Sequence, residues 1–262
     1  MAVPLLETRN LSIRFGGLVA VSRVDLSLAA GETLCIIGPN GAGKSTLFNL
    51  ISGIYRQSSG TVRLDGRDIT GWPAHRIAAA GIARTFQSSR LFGDLTLVDN
   101  VVIGMHCRTR TGVIDALLRP RRARAEFEAA AERAGELLRL VSPGLYERRH
   151  TLAGTLPQAD RRRLEIARAL ASDPKIIMLD EPSSGMDDRD TDALIEDIRL
   201  TMAERPGLAY IIIEHDMRLV AALPERVVVI DYGEKIAEGH FSEVRLMPRV
   251  QEAYLGQKAA HA

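Results

Sequence analysis

The sequence predicts an α/β fold: a largely parallel sheet core, an antiparallel β region before it and an inserted α-helical region. Three observations carry this. Ile176–Leu179, Ala209–Ile213 and Val227–Ile230 are short apolar runs of the kind found in strands buried on both faces. Helical segments lie between them, and strands alternating with helices favour a parallel sheet. A glycine-rich loop stands between the apolar run Thr33–Ile37 and a helical segment.

Taken in order, Leu11–Phe15 and Val24–Leu28 alternate apolar with polar residues, which predicts half-buried strands. Ala30-Gly31 is a turn, and Thr33–Ile37 is a short buried strand. A helix is expected from about Lys44 to Ser52, stopped by Gly53. Thr61–Leu64 reads as a strand and Asp65-Gly66 as the tight turn after it. Residues 88–170 are expected to be mainly helical. Within them Phe127, Ala130, Ala134, Leu137, Leu138 and Val141 form one apolar helical stripe. The whole of 1–262 is read as a single domain carrying this insertion.

Composition excludes several classes. The chain is 46% apolar and 26% charged, ordinary for a globular protein, and its net charge of +1 implies no polyanionic partner. Cys35 lies in an apolar run and Cys107 stands alone, so neither a disulfide framework nor a metal site is expected. Met1–Asn10 lacks the pattern of a signal peptide. No apolar run approaches the roughly 18–20 residues that span a bilayer. If the protein works at a membrane, another chain must supply the spanning helices.

The loop Gly38-Pro39-Asn40-Gly41-Ala42-Gly43-Lys44-Ser45 matches G-x-x-x-x-G-K-[ST] without a gap. Its glycines let backbone N–H groups turn inward around phosphates, and the helix N-terminus adds about half a positive charge. Lys44 can reach the terminal phosphates of ATP, and Ser45 can ligate Mg²⁺. Asp180 ends a buried apolar strand, at the edge where open α/β sheets bind ligands. It is a candidate Mg²⁺ ligand, and the adjacent Glu181 a candidate for polarising an attacking water. Alone, an Asp-Glu pair at a strand end is commonly a solvated edge; beside a phosphate loop it reads as catalytic.

These motifs, in this order, resemble the ATP-binding subunits of ABC transporters from Leu5 to about Gly256. The resemblance implies a P-loop ATPase of ABC type. It also implies further roles. Gln87, in Arg84-Thr85-Phe86-Gln87, would contact Mg²⁺ and sense the membrane partner. His215 would contact the γ-phosphate. Phe15, 29 residues before Lys44, would stack on adenine, and Thr46 would join Gly38–Ser45 in holding the nucleotide. Ser183–Asp187 would cross a dimer interface. A lone histidine after a buried strand, or a lone Phe in an amphipathic strand, is more often structural. It is the joint order that carries the assignment.

A finer resemblance is to the ATPases of branched-chain amino-acid importers. It rests on Arg14–Val21, Gly81–Gln87, Arg161–Arg168 and the ending Ala253-Tyr254-Leu255-Gly256. Importers of other small solutes and lipopolysaccharide exporters share parts of the pattern. The expected activity is ATP hydrolysis driving uptake of branched-chain amino acids or a related small solute. The expected partners are transmembrane permease subunits and a second ATPase subunit. The expected location is the cytoplasmic face of the inner membrane, peripheral, held there by those partners.

One segment departs from the family. Where its signature reads Leu-Ser-Gly-Gly-Gln, or Leu-Pro-Tyr-Gly-Gln in many amino-acid importers, this chain has Leu156-Pro157-Gln158-Ala159-Asp160. In the family this segment closes over the γ-phosphate bound by the other subunit. Ala159 adds a methyl group where backbone approaches phosphate. The Asp160 carboxylate favours the helix start by about 0.3–1 kcal/mol but would repel phosphate. At about 7 Å one like-charge pair costs roughly 0.6 kcal/mol in water and about 2.4 kcal/mol at an effective dielectric of 20. The expectation is an impaired signature. It favours a heterodimer with a partner whose signature is intact; a homodimer that tolerates the change is the alternative.

Arg108, Arg110, Arg119, Arg121, Arg122 and Arg124 form a basic cluster, read either as a solvated surface or as lying near anionic lipid. Without interleaved aromatics it does not read as a nucleic-acid surface. Two rival readings differ in what they require of the chain. A soluble ABC ATPase of translation or repair would usually carry tandem domains or long coiled coils. A regulatory subunit with little turnover is disfavoured by Glu181 and His215 and favoured by Asp160.

Overall fold

The computed structural model describes residues 3–85, 91–108 and 120–260, with side chains to 254. The described residues form two compact units. The first comprises 3–84, 175–183 and 206–260 and contains two sheets.

One sheet is antiparallel, in the order β2-β1-β4-β5, with β1 Leu6–Phe15, β2 Leu18–Leu28, β4 Ser59–Leu64 and β5 Arg67–Asp68. β1 and β2 extend well beyond the expected 11–15 and 24–28 and pair across Gly16-Gly17. Irregularities explain the shortfall. The register shifts between Thr8 and Leu11 and again beyond Leu11, and Asn10 (φ 48°) and Arg23 (φ 47°) are left-handed. Each bulge resets which face a residue meets, so simple alternation is legible only past it.

The other sheet has the order β10-β9-β3-β8-β7-β6. Its strands are β3 Thr33–Ile37, β6 Ile82–Arg84, β7 Ile176–Asp180, β8 Ala209–Ile213, β9 Arg226–Asp231 and β10 Glu234–Gly239. β6, β7, β8, β3 and β9 run parallel, and β10 returns antiparallel to β9. Every residue of β3, β7 and β8 is buried, which is why these strands read as continuous apolar runs. The register sets Asp180 beside Ile213, Ile213 beside Ile36, and Ile37 beside Val229. The residues that follow β3, β7, β8 and β9 therefore emerge at one end of the sheet. Helix α1, Lys44–Ile51, follows β3, and α2, Ala74–Ala80, precedes β6.

The second unit comprises 85, 91–108, 120–174 and 184–205. It contains α3 Leu97–Gly104, α4 Pro120–Val141, α5 Pro143–Glu147, α6 Gln158–Leu170 and α7 Asp188–Glu204. Thr96 caps α3 by accepting from the Asp99 N–H, and the fully buried Asn100 donates to the carbonyls of Phe92 and Thr96. The expected stripe on α4 is buried only in its C-terminal part, at Ala134, Leu137, Leu138 and Val141; Phe127 is 55% exposed. A helix longer than the body it packs on leaves its far end in solvent, a limit that periodicity does not reveal.

α8 Met217–Ala222, α9 Phe241–Val244 and α10 Pro248–Ala260 complete the first unit. No helix among the described residues is long and apolar enough to cross a membrane.

Candidate functional site

Phe15, Leu18, Val19, Ala20, Asn40 to Thr46, Glu181, Tyr232 and Gly233 line one cavity of about 400 Å³ in the first unit. The phosphate loop forms its floor. Gly43 is the N-cap of α1 with φ 101°, and a Cβ there would lie 2.4 Å from the Ala20 carbonyl oxygen, so only glycine fits. No side chain caps α1 and its first turn holds no acid, so the positive end of the helix stays available to an anion.

Lys44 is buried and donates to the carbonyls of Gly38 (2.7 Å) and Pro39 (2.8 Å), which places these two loop residues beneath its ammonium. Burial holds that ammonium below the ordinary lysine value, while the charges of Glu181 and Asp180 pull it back up. Ser45 is exposed on the cavity wall beside Thr46.

Asp180 is buried and receives a 2.8 Å ion pair from Arg84 Nη2. Arg84 also donates to Asn49 Oδ1 (2.6 Å) and Ser52 Oγ (3.0 Å), joining the end of β7 to α1. Glu181 follows in left-handed backbone (φ 47°), its N–H bonded to the Ile213 carbonyl at 2.9 Å. Non-glycine residues held there are uncommon and concentrate at functional sites. His215 Nδ1 stands 4.0 Å from Glu181 Oε1, although His215 is not itself on the cavity wall. Gln87 lies outside the described residues.

Sequence reasoning passed over Glu214. It is fully buried and accepts from Ser183 N (2.9 Å), Ser183 Oγ (2.5 Å), His215 N (2.8 Å) and Asp216 N (3.0 Å). One carboxylate thus ties the segment after Glu181 to the segment carrying His215. An acid ending an Ile-Ile-Ile run was the available signal. Arg84, read only as a neighbour of Gln87, and Tyr232 were given no role of their own. Burial pushes the Tyr254 phenol up to about 12, and its hydroxyl lies against the Gly38 backbone.

The donor set of the Ser45 hydroxyl and the Asp180 carboxylate is made of hard oxygens, and Mg²⁺ prefers one or two of these together with substrate phosphates. The residues present fit that ion. No group of three or more His, Cys, Asp or Glu placed to hold a metal occurs among the described residues.

In the second unit the departing segment begins α6, with Pro157 as N-cap and no side-chain cap. The Asp160 carboxylate is bound by Arg148 (2.6 Å) and Arg163 (3.2 Å), and Arg163 also holds Asp197 (2.6 Å). Ala159 is buried, so its methyl group packs inside the unit. The repulsion expected from a bare Asp160 carboxylate is therefore reduced: two cations and two anions form a near-neutral cluster. Gln158 is exposed.

Of the basic cluster, Arg108 pairs with Asp173 (3.0 Å), Arg121, Arg122 and Arg124 are exposed, Arg124 pairing with Glu128 (2.9 Å), and Arg110 and Arg119 lie outside the described residues.

The chain is similar to known proteins over nearly its full length. The ABC transporter family model matches residues 21–184, and that of the branched-chain amino acid ATP-binding cassette transporter matches 234–260. The chain is 40% identical over 257 residues to the high-affinity branched-chain amino acid transport ATP-binding protein BraF of Pseudomonas aeruginosa, covering 98% of this chain and 100% of that one. It is 41% identical over 260 residues to LivG of Salmonella typhimurium, with the same description and the same coverage. Among solved structures, a nucleotide-free ATP-binding cassette from an ABC transporter superposes with a TM-score of 0.83 at 29% identity, covering 96% of this chain and 99% of that one. An ATP-binding cassette of an ABC transporter in its ADP conformation gives 0.83 at 30%, covering 97% and 100%.

Proposed function

The chain belongs to the ABC transporter ATP-binding family, and on that premise we propose that it hydrolyses MgATP to drive uptake of branched-chain amino acids or a related small solute. The observation that carries the hydrolytic part is the convergence of Lys44, Glu181 and His215 on the end of the sheet where the phosphate loop opens. The solute rests on the match at 234–260 and on the descriptions of the relatives.

In this reading the inward N–H groups of Gly38–Ser45 and the Lys44 ammonium hold the β- and γ-phosphates, and Phe15 stacks on adenine, with Tyr55 packed edge-to-face against it at 5.4 Å. Glu181 accepts a proton from the attacking water as its oxygen bonds to the γ-phosphorus and the bond to the bridging oxygen of ADP breaks. His215 and Lys44 offset charge on the transferring group. Ser45, Asp180 and Gln87 would hold Mg²⁺, which supplies charge neutralisation across the phosphates.

The proposed assembly pairs the chain with permease subunits at the cytoplasmic face of the inner membrane and with a second ATPase subunit. The departure of Leu156–Asp160 from the family signature, with Gln158 exposed at the start of α6, favours a partner that carries that signature over a second copy of this chain.

The test is ATP hydrolysis by the purified chain over a range of protein concentrations, beside Glu181→Gln. ATP binding with little turnover alone, and turnover on adding the partner ATPase, is the expected result. Activity that rises with concentration and vanishes in Glu181→Gln would instead show a competent homodimer. Loss of labelled leucine uptake in cells lacking the chain checks the solute, and undiminished uptake removes it.

A further inference from the structure

We propose that Tyr232 contacts the base and ribose of the bound nucleotide and, with Phe15, sets affinity for the nucleoside half of the ligand rather than for its phosphates. The inference rests on the nucleotide reading of the cavity given above.

Asp231 and Glu234 are paired residues of β9 and β10, so the hairpin loop is the two residues Tyr232-Gly233. Both have positive φ, 45° and 79°. A two-residue loop of this kind favours Asn-Gly or Asp-Gly, because a side chain at the first position must accept left-handed backbone. Tyrosine is an unfavourable choice there, and fold packing does not account for it: Tyr232 is 88% exposed.

The turn is nevertheless firmly seated. Gly233 N donates to the Ala42 carbonyl of the phosphate loop (2.8 Å), and Ser22 N donates to the Gly233 carbonyl (2.8 Å). A Cβ on Gly233 would lie 2.7 Å from the Ala20 oxygen, so the backbone is pressed onto β2. Tyr232 is thus carried on a fixed turn and lines the same cavity as Phe15 and Lys44.

The polar chemistry of the cavity sorts the ligand's two halves. Phosphates have the loop N–H groups and Lys44. A neutral aromatic ring adds little to an anion, but it offers a stacking or edge surface to a planar base, and its hydroxyl offers a hydrogen bond to a ribose. A second exposed aromatic in a cavity that already holds Phe15 matches the nucleoside part of a nucleoside triphosphate.

The test compares the full chain with Tyr232→Asn and Tyr232→Phe. Affinities for MgATP and for Mg²⁺ with inorganic tripolyphosphate are measured by calorimetry, alongside Tm. Asparagine is expected to weaken ATP binding by about fivefold or more. It should leave tripolyphosphate within about twofold and keep or raise Tm, because it suits left-handed backbone. Phenylalanine should retain most of the ATP affinity. Unchanged ATP affinity in Tyr232→Asn overturns the proposal. So does an equal loss for both ligands, which would assign Tyr232 to the phosphates, or a loss accompanied by a fall in Tm, which would make its role structural. A folded wild-type chain that binds no ATP would instead overturn the nucleotide reading itself.

Discussion

Glu214 is a carboxylate with no exposed surface at the end of β8, and such a charge persists only when hydrogen-bonded. Its four bonds hold Ser183, His215 and Asp216, the immediate surroundings of the proposed catalytic pair. In Glu214→Gln one oxygen becomes an NH₂ group; turned toward Ser183, whose hydroxyl can accept from it, it still leaves the buried Ser183 N–H without an acceptor. The expected cost is about 2 kcal/mol or more of stability, read by urea denaturation, with a roughly tenfold fall in turnover. Turnover that survives with stability lost would limit Glu214 to the fold. This residue was present in the sequence as the acid before His215, but its burial and the two donors on Ser183, a stretch 31 residues away, are invisible in its own segment.

At the scale of elements, α6 shows what a motif comparison leaves out. The aligned letters mark Asp160 as a charge out of place, yet Arg148 before the helix and Arg163 one turn along it both hold the carboxylate. The double variant Ala159→Gly with Asp160→Gln restores the family letters but removes these pairs. Loss of partly exposed ion pairs and a glycine in the helix cost about 1 kcal/mol each. Tm should therefore fall by about 4–8 °C. Under the heterodimer proposal, hydrolysis by the purified chain should nevertheless rise, by about two- to tenfold. A lower Tm with unchanged hydrolysis would acquit the signature segment. The same lesson holds for β1 and β2, whose bulges hid half of each strand from a period-2 reading, and for α4, whose exposed Phe127 continued a stripe that packing does not use.

For the whole molecule, stability and activity should separate on removal of metal. The first unit holds together through a continuous apolar core that includes Leu11, Leu34, Phe48, Ile211 and Val228, with no metal cluster among the described residues. Excess EDTA is expected to abolish ATP hydrolysis while Tm and far-ultraviolet circular dichroism stay unchanged; a parallel loss of Tm would point to a structural ion. The sequence by itself determined the α/β class, the phosphate loop, the Asp180-Glu181 pair and the family, because each is a local pattern: a buried strand is a short apolar run, and a phosphate loop is contiguous. Only the tertiary structure decided that Glu181 and His215 meet, that Glu214 and Arg84 brace the strand ends, that Asp160 is neutralised and that Tyr232 joins Phe15 at one cavity. Apart from the Asp160 cluster, which is built among the helices of the second unit, those relations depend on sheet register between strands far apart in the chain. Register arises from many weak packing terms summed over the whole core, and no local run of residues records that sum.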